Sequence, residues 1–244
     1  MTTTSTVARP ATPFDVVTLQ YANPTRLVTI PLAILGAVVV VVSIVSRVVT
    51  ITVSQGGGAP VEAGDGNGAV IWSLLGFVVA VGVQAVSTVF PLALALGSTR
   101  RTFTAGVLAT AVLEAALLSV AALILLGLEV LTGGWFVGAR VLGDASLGGG
   151  DVLALVEVMF LSTLSAIAIG AVFGATWVRF GALGLTVLGL AVSAAFVLAL
   201  LLLAPAFAAI GQAFEAWWLA IAAVAAVAVS MAGVFLLLRR AAVR

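Results

Sequence analysis

The chain contains no cysteine, no histidine and no lysine; all ten of its basic residues are arginine. Without cysteine there is no disulfide and no thiolate nucleophile. Without histidine the commonest general base and a usual zinc ligand are both gone, and no metal site is expected. Without lysine a Gly-x-x-x-x-Gly-Lys-[Ser/Thr] phosphate loop cannot be written, and no cofactor is expected on this chain. Charge is scarce too: charged residues are 8% of the chain, where a soluble domain carries about 25%. The scattered arginines and a net charge of +1 form no basic stripe, so nucleic acid is not expected as a partner. What remains is oil. With 63% hydrophobic residues and a mean hydropathy of +1.34, too few charges exist to cover a folded surface in water, and the chain needs membrane lipid as its solvent. Its 244 residues leave room for one membrane domain and little else.

A helix crosses a hydrocarbon core of ~30 Å in about 20 residues. Six stretches meet that length, at about 27–46, 69–97, 104–130, 151–178, 182–204 and 216–238. Helices are the expected form because lipid offers no partner to an unsatisfied backbone N–H or C=O, and these runs lack the alternation of barrel strands. The predicted fold is therefore all-α and integral to the membrane. Residues 1–26 form a cytoplasmic tail and 27–244 a six-helix transmembrane domain. Pro31 and Pro91 are expected to kink their helices, and Pro205 to end the fifth.

Arginine placement orients the chain. With the N-terminus inside, Arg9, Arg26, Arg100, Arg101, Arg179, Arg239, Arg240 and Arg244 lie on the cytoplasmic side, and only Arg47 and Arg140 lie outside. Both termini are then cytoplasmic. The use of arginine alone, with abundant Ala, Val, Gly and Leu, points to a GC-rich bacterial genome and so to the bacterial cytoplasmic (inner) membrane as the location. Ahead of the first span, Phe14, Val17 and Tyr21 recur at helical spacing between Thr12-Pro13 and Asn23-Pro24, which predicts a short amphipathic helix on the inner leaflet. The stretches 54–68 and 132–150 are Gly-rich and read as solvated linkers, with Trp135 and Phe136 of the second at the membrane interface.

The most informative segment is Phe90-Pro-Leu-Ala-Leu-Ala-Leu-Gly97-Ser98-Thr99-Arg100-Arg101-Thr102-Phe103. It requires a helix to run inward, break at Gly97, turn tightly and re-enter the membrane. This stretch, with the Thr104-Ala105-Gly106 that follows, resembles the cytoplasmic loop between the second and third spans of small bacterial ABC transporter permeases of the type-two exporter class. In that family "LALG-x-[ST]-R-[RK]-x-[FY]" ahead of a small-residue helix start is common. The six spans, the inside N-terminus and the short helix before the first span are similar in layout. The resemblance implies that Ser98, Thr99, Arg100, Arg101, Thr102 and Phe103 form a coupling element docking on a separate ATP-binding subunit, with Phe14, Val17 and Tyr21 beside it, and that a second permease copy or similar chain completes the complex. A positive-inside anchor accounts for Arg100 and Arg101 equally well.

Polar residues within spans are expensive and therefore informative. Glu114 lies ~15 Å from the inner edge of the third span, where a charge costs about 2.5–3.5 kcal/mol, and no arginine shares its depth. Gln84 is its expected partner; Glu157 lies in the outer half of the fourth span. These three either line a translocation path or act as interhelical hydrogen-bonding glue. Gly170 and Gly174 form a GxxxG pair expected to let helices approach closely. Three functions compete on these residues. An intramembrane protease of the rhomboid or prenyl type would need histidine, and Glu114 with Glu157 does not make an aspartyl-protease motif, so an enzyme is not expected. The leading expectation is the permease subunit of an ABC exporter; the alternatives are a proton-coupled carrier using Glu114 or a non-catalytic membrane scaffold.

Overall fold

The structure, a computed structural model, describes residues 12–55, 68–206 and 217–241. Among these residues every element is helical. After the short helix α1 (Pro13–Gln20), a wide π turn (Thr25–Thr29) leads into α2 (Ile30–Gln55). Next come α3 (Ala69–Ser87), α4 (Val89–Ala95) and α5 (Arg100–Leu131). A helical run Val152–Leu203 is broken at Gly181, whose φ of 66° and ψ of −157° lie outside the helical region, so it comprises α6 (152–180) and α7 (182–203); α8 (Trp217–Arg239) closes the order. Five helical stretches are long and apolar enough to cross a membrane: Thr25–Gln55, Ala69–Ala95, Arg100–Leu131, Val152–Leu203 and Trp217–Arg239. These apolar helices are those of a multi-pass membrane protein.

Two prolines shape the chain where their missing N–H matters. Pro91 cannot donate to the Ser87 carbonyl, and α3 ends there; Thr88 takes up the slack, its hydroxyl donating to the Gln84 carbonyl at 2.6 Å. Pro31 would crowd the Leu27 carbonyl, and the π turn just ahead of it widens the backbone there.

The centre of the fold is α3 against α6. Gly82 meets the Ile167 carbonyl, Gly170 the Val79 carbonyl and Gly174 the Val83 carbonyl, so closely that a β-carbon at any of the three would overlap backbone oxygen. Residue numbers rise together along both helices, so the pair is parallel. Gly170 and Gly174 thus face α3 within the same chain. On the other side of α6, Ser165 donates to the Ala223 carbonyl and Val172 lies beside Gly233, which sets α8 parallel to α6 as well. Helix α5 runs the opposite way: its start touches the end of α8, and its end touches the loop that precedes α6.

Two expectations from the sequence are corrected here. Helix α2 runs past Ser46, the expected end of the first span, to Gln55, so Arg47 is a helical residue. The stretch 132–150 is not a solvated linker. Ala139, Val141, Leu142 and Leu147 are buried in the main apolar cluster with α2, α3, α5 and α6. The glycines at 133, 134, 138, 148, 149 and 150 all take positive φ, and so do Trp135 and Phe136, which makes the loop tight enough to fold back onto the bundle. Most of the linker read at 54–68, the stretch 207–216 after Pro205, and the tail before Thr12 lie outside the described residues.

Candidate coupling surface and buried polar site

The α4–α5 turn is built for tightness. Gly97 takes φ 86°, and the Ser98 N–H returns to the Ala93 carbonyl at 2.9 Å. That satisfies one of the carbonyls left open at the end of α4. Thr99 caps α5: its hydroxyl accepts from the Thr102 N–H at 3.2 Å and pairs with the Thr102 hydroxyl at 2.8 Å. The turn is backed by Phe90 and Phe103, packed edge to face with centroids 5.1 Å apart, both fully buried.

Arg100 has a task within the chain. Its guanidinium donates to the Arg239 and Ala241 carbonyls, the second at 2.9 Å. These carbonyls end α8, where helical partners run out and a positive charge is favoured. The expected docking set is corrected accordingly. Phe103 is not free to anchor a partner's pocket, because it is core. Ser98 is buried, Thr102 is paired to Thr99, and Arg100 is committed to α8. What the turn presents outward is Leu96, Gly97, Thr99 and Arg101, and Arg101 has no hydrogen bond or ion pair among the described residues.

Helix α1 packs beside this turn, against α5. Thr12 starts it, with its N–H and hydroxyl both donating to the Asp15 carboxylate at 2.6 and 2.8 Å. Its buried residues are Val16, Val17 and Gln20, whereas Phe14 is 78% exposed. The buried face is thus displaced from the expected Phe14–Val17–Tyr21 line, because Val16 seats directly on Gly106, where a β-carbon would overlap its side chain. Gly106→Leu should therefore lift α1 from α5. Limited proteolysis near Gln20 is expected to become many times faster, and an unchanged digestion rate would show that the contact does not hold α1.

Tyr21, at the end of α1, donates its hydroxyl to Glu114 Oε2 at 3.2 Å. Glu114 itself is 1% exposed. Its partner is Tyr21 rather than Gln84, which makes no hydrogen bond to it. The difference arises because α1 packs along α5, with Val16 on Gly106, which brings Tyr21 to Glu114. Three buried side-chain polar atoms have no partner among the described residues: Glu114 Oε1, Gln84 Oε1 and Gln20 Nε2. Such atoms are costly when dry, and a solvated path or a bound polar group would relieve them. Glu157 does not join them. It is exposed on α6.

Two groupings escaped the sequence reading. Gln20 lies on the buried face of α1, adjacent to a residue already singled out. Glu129, near the end of α5, is 4% exposed and collects the whole following loop: Oε2 accepts from Trp135 Nε1 at 2.9 Å, Val141 N at 3.0 Å and Leu142 N at 2.8 Å, while Oε1 accepts from Gly143 N at 2.9 Å. The available signal was an acid at a span's end followed by a Gly-rich segment whose N–H groups need acceptors. No family model, curated protein or solved structure matches this chain.

Proposed function

We propose that this chain is the permease subunit of a bacterial ABC exporter of the type-two class, with six spans, both termini in the cytoplasm, and separate ATP-binding subunits supplying ATP and Mg. One observation carries the reading. The α4–α5 turn offers Leu96, Thr99 and Arg101 to solvent on a base made stiff by the Phe90–Phe103 stack, the Arg100 bonds to α8 and the packing of α1. A partner pressing on that turn would move α5, α8 and α1 together, since packed elements transmit displacement. Arginine is suited to this role because its fork can bond a carboxylate-lined cleft bidentately.

Two further points support six spans in this orientation. The run Val152–Leu203 would extend ~78 Å if straight, far beyond a ~30 Å core, and the break at Gly181 divides it into lengths that each suffice for one crossing. Helix α8 is parallel to α6, so the chain between them has to return across the membrane, and α7 is the segment long enough to do so. Arg100, Arg101, Arg239 and Arg240 then gather at one end, the cytoplasmic one under the positive-inside rule.

Co-expression with a separate candidate ATP-binding subunit, followed by affinity purification in mild detergent, tests the proposal. Arg101→Glu is expected to weaken co-purification by about 30-fold, the ~2 kcal/mol of an arginine at the centre of an interface, without changing the melting temperature of the chain alone. Retention of the ATPase by Arg101→Glu would overturn the assignment of the turn. The unpartnered Glu114 Oε1 favours one second reading, a proton-coupled carrier. Transport by the chain alone, driven by a pH gradient without ATP, would select the carrier over the permease.

A further inference from the structure

Between α2 and the outer half of α5 runs a groove of about 590 Å³, in the range of small-molecule sites. Its walls are Gly36, Val40, Ile44, Leu125 and Trp135, and Arg47 stands at one end. Val40 and Ile44 are more than half exposed, so the groove is open along its side to the surrounding medium. We infer that this groove holds one acyl chain of a membrane lipid with an anionic headgroup, the headgroup phosphate resting on the Arg47 guanidinium.

Three observations select that occupant. The rise along α2 from Gly36 to Arg47 is ~16 Å, and one leaflet contributes ~15 Å of hydrocarbon. A chain lying in the groove therefore ends where its headgroup would meet the arginine. The lining is apolar apart from Arg47 and the Ser43 hydroxyl, and that hydroxyl is already bonded to the Val39 carbonyl at 2.7 Å. Arg47 makes no hydrogen bond or ion pair among the described residues, which leaves its fork for an anion. A guanidinium inside a lipid-facing helix is costly unless it reaches the interface or pairs, and a phosphate matches its two-pronged geometry. The indole of Trp135 flanks the groove and its N–H is held by Glu129, which fixes that wall at the depth aromatic residues favour. The leaflet concerned is the one on the side of the 132–150 loop, and the site stands whether or not an ATPase docks at the opposite end.

The test reconstitutes the full chain into vesicles of equal phosphatidylglycerol and phosphatidylcholine, extracts it in mild detergent and counts retained lipids by native mass spectrometry. Phosphatidylglycerol should be retained over phosphatidylcholine by about fivefold, the preference one arginine at the membrane surface confers. Arg47→Gln should equalise the two lipids while total lipid is kept, and Arg47→Lys should preserve most of the preference. Gly36→Leu fills the deep end of the groove without backbone contact, since nothing lies within 4 Å of a β-carbon there, and should lower both lipids together. Equal retention by the unaltered chain, an undiminished preference in Arg47→Gln, unchanged retention in Gly36→Leu, or a dimer mass without lipid would each overturn the inference.

Discussion

Gly170→Ala is expected to destabilise the folded chain by about 1–3 kcal/mol, and Gly170→Leu to remove it from the membrane fraction altogether. The added carbon at position 170 overlaps the Val79 carbonyl oxygen and crowds Gly82, so it meets rigid backbone on α3 and not a side chain that can turn away. Neighbouring contacts prevent escape: Gly82 against Ile167 and Gly174 against Val83 hold the same two helices at the same separation. Forcing α3 from α6 at one glycine therefore opens all three contacts and the core between them. Gly76→Ala is the control, on the same α3 but with nothing within 4 Å of its β-carbon. Thermal unfolding in detergent, followed by size-exclusion profile, reads the difference. Equal melting of Gly170→Ala and Gly76→Ala would mean that the α3–α6 approach is looser than described.

Glu129→Ala should cost at least about 4 kcal/mol, because it strands four N–H donors at once, each buried or partly buried, and such a donor left unsatisfied costs about 1–3 kcal/mol. Three are backbone amides of a loop whose Val141 and Leu142 are part of the core, so the loss reaches beyond the surface. Glu129→Gln divides the effect: its one acceptor oxygen can serve the three donors at Oε2, but an amide NH2 would then face the Gly143 N–H. Its penalty should be roughly half that of alanine on the same arithmetic. Hydrogen exchange at Val141 to Gly143 and the fluorescence of Trp135 report the loop directly. If exchange in Glu129→Ala stayed as slow as in the unaltered chain, the carboxylate would not be what folds the loop.

The turn from Gly97 to Phe103 was legible as a turn because Gly, Ser and Thr beside a helix restart have few other local solutions. Which of its side chains remain available to a partner was not legible. Arg100 and Arg101 are adjacent and chemically identical, yet one lies under the end of α8 and the other points outward, and only the arrival of a helix more than a hundred residues later distinguishes them. Phe103 looked like an anchor for the same reason: an aromatic beside a polar turn reads alike whether it packs inward on Phe90 or outward on a partner. Glu114 was identifiable from its depth in an apolar run, because charge in hydrocarbon is costly wherever the neighbours are. Its partner was not, since Tyr21 reaches it only through the way α1 mounts α5 over Gly106.

Composition alone decided that this chain is helical and suited to lipid, because burying so much apolar surface with so few charges leaves no stable form in water, and hydrocarbon demands internal backbone pairing. Glycine and proline positions decided where helices break, since those constraints act within a few residues. Tertiary structure decided the rest: that a Gly-rich loop folds inward on Glu129, that Gly170 and Gly174 serve α3, and that Arg47 borders a groove. Those outcomes depend on which distant atoms come to lie within hydrogen-bonding or van der Waals reach, and no local pattern along a chain encodes that distance.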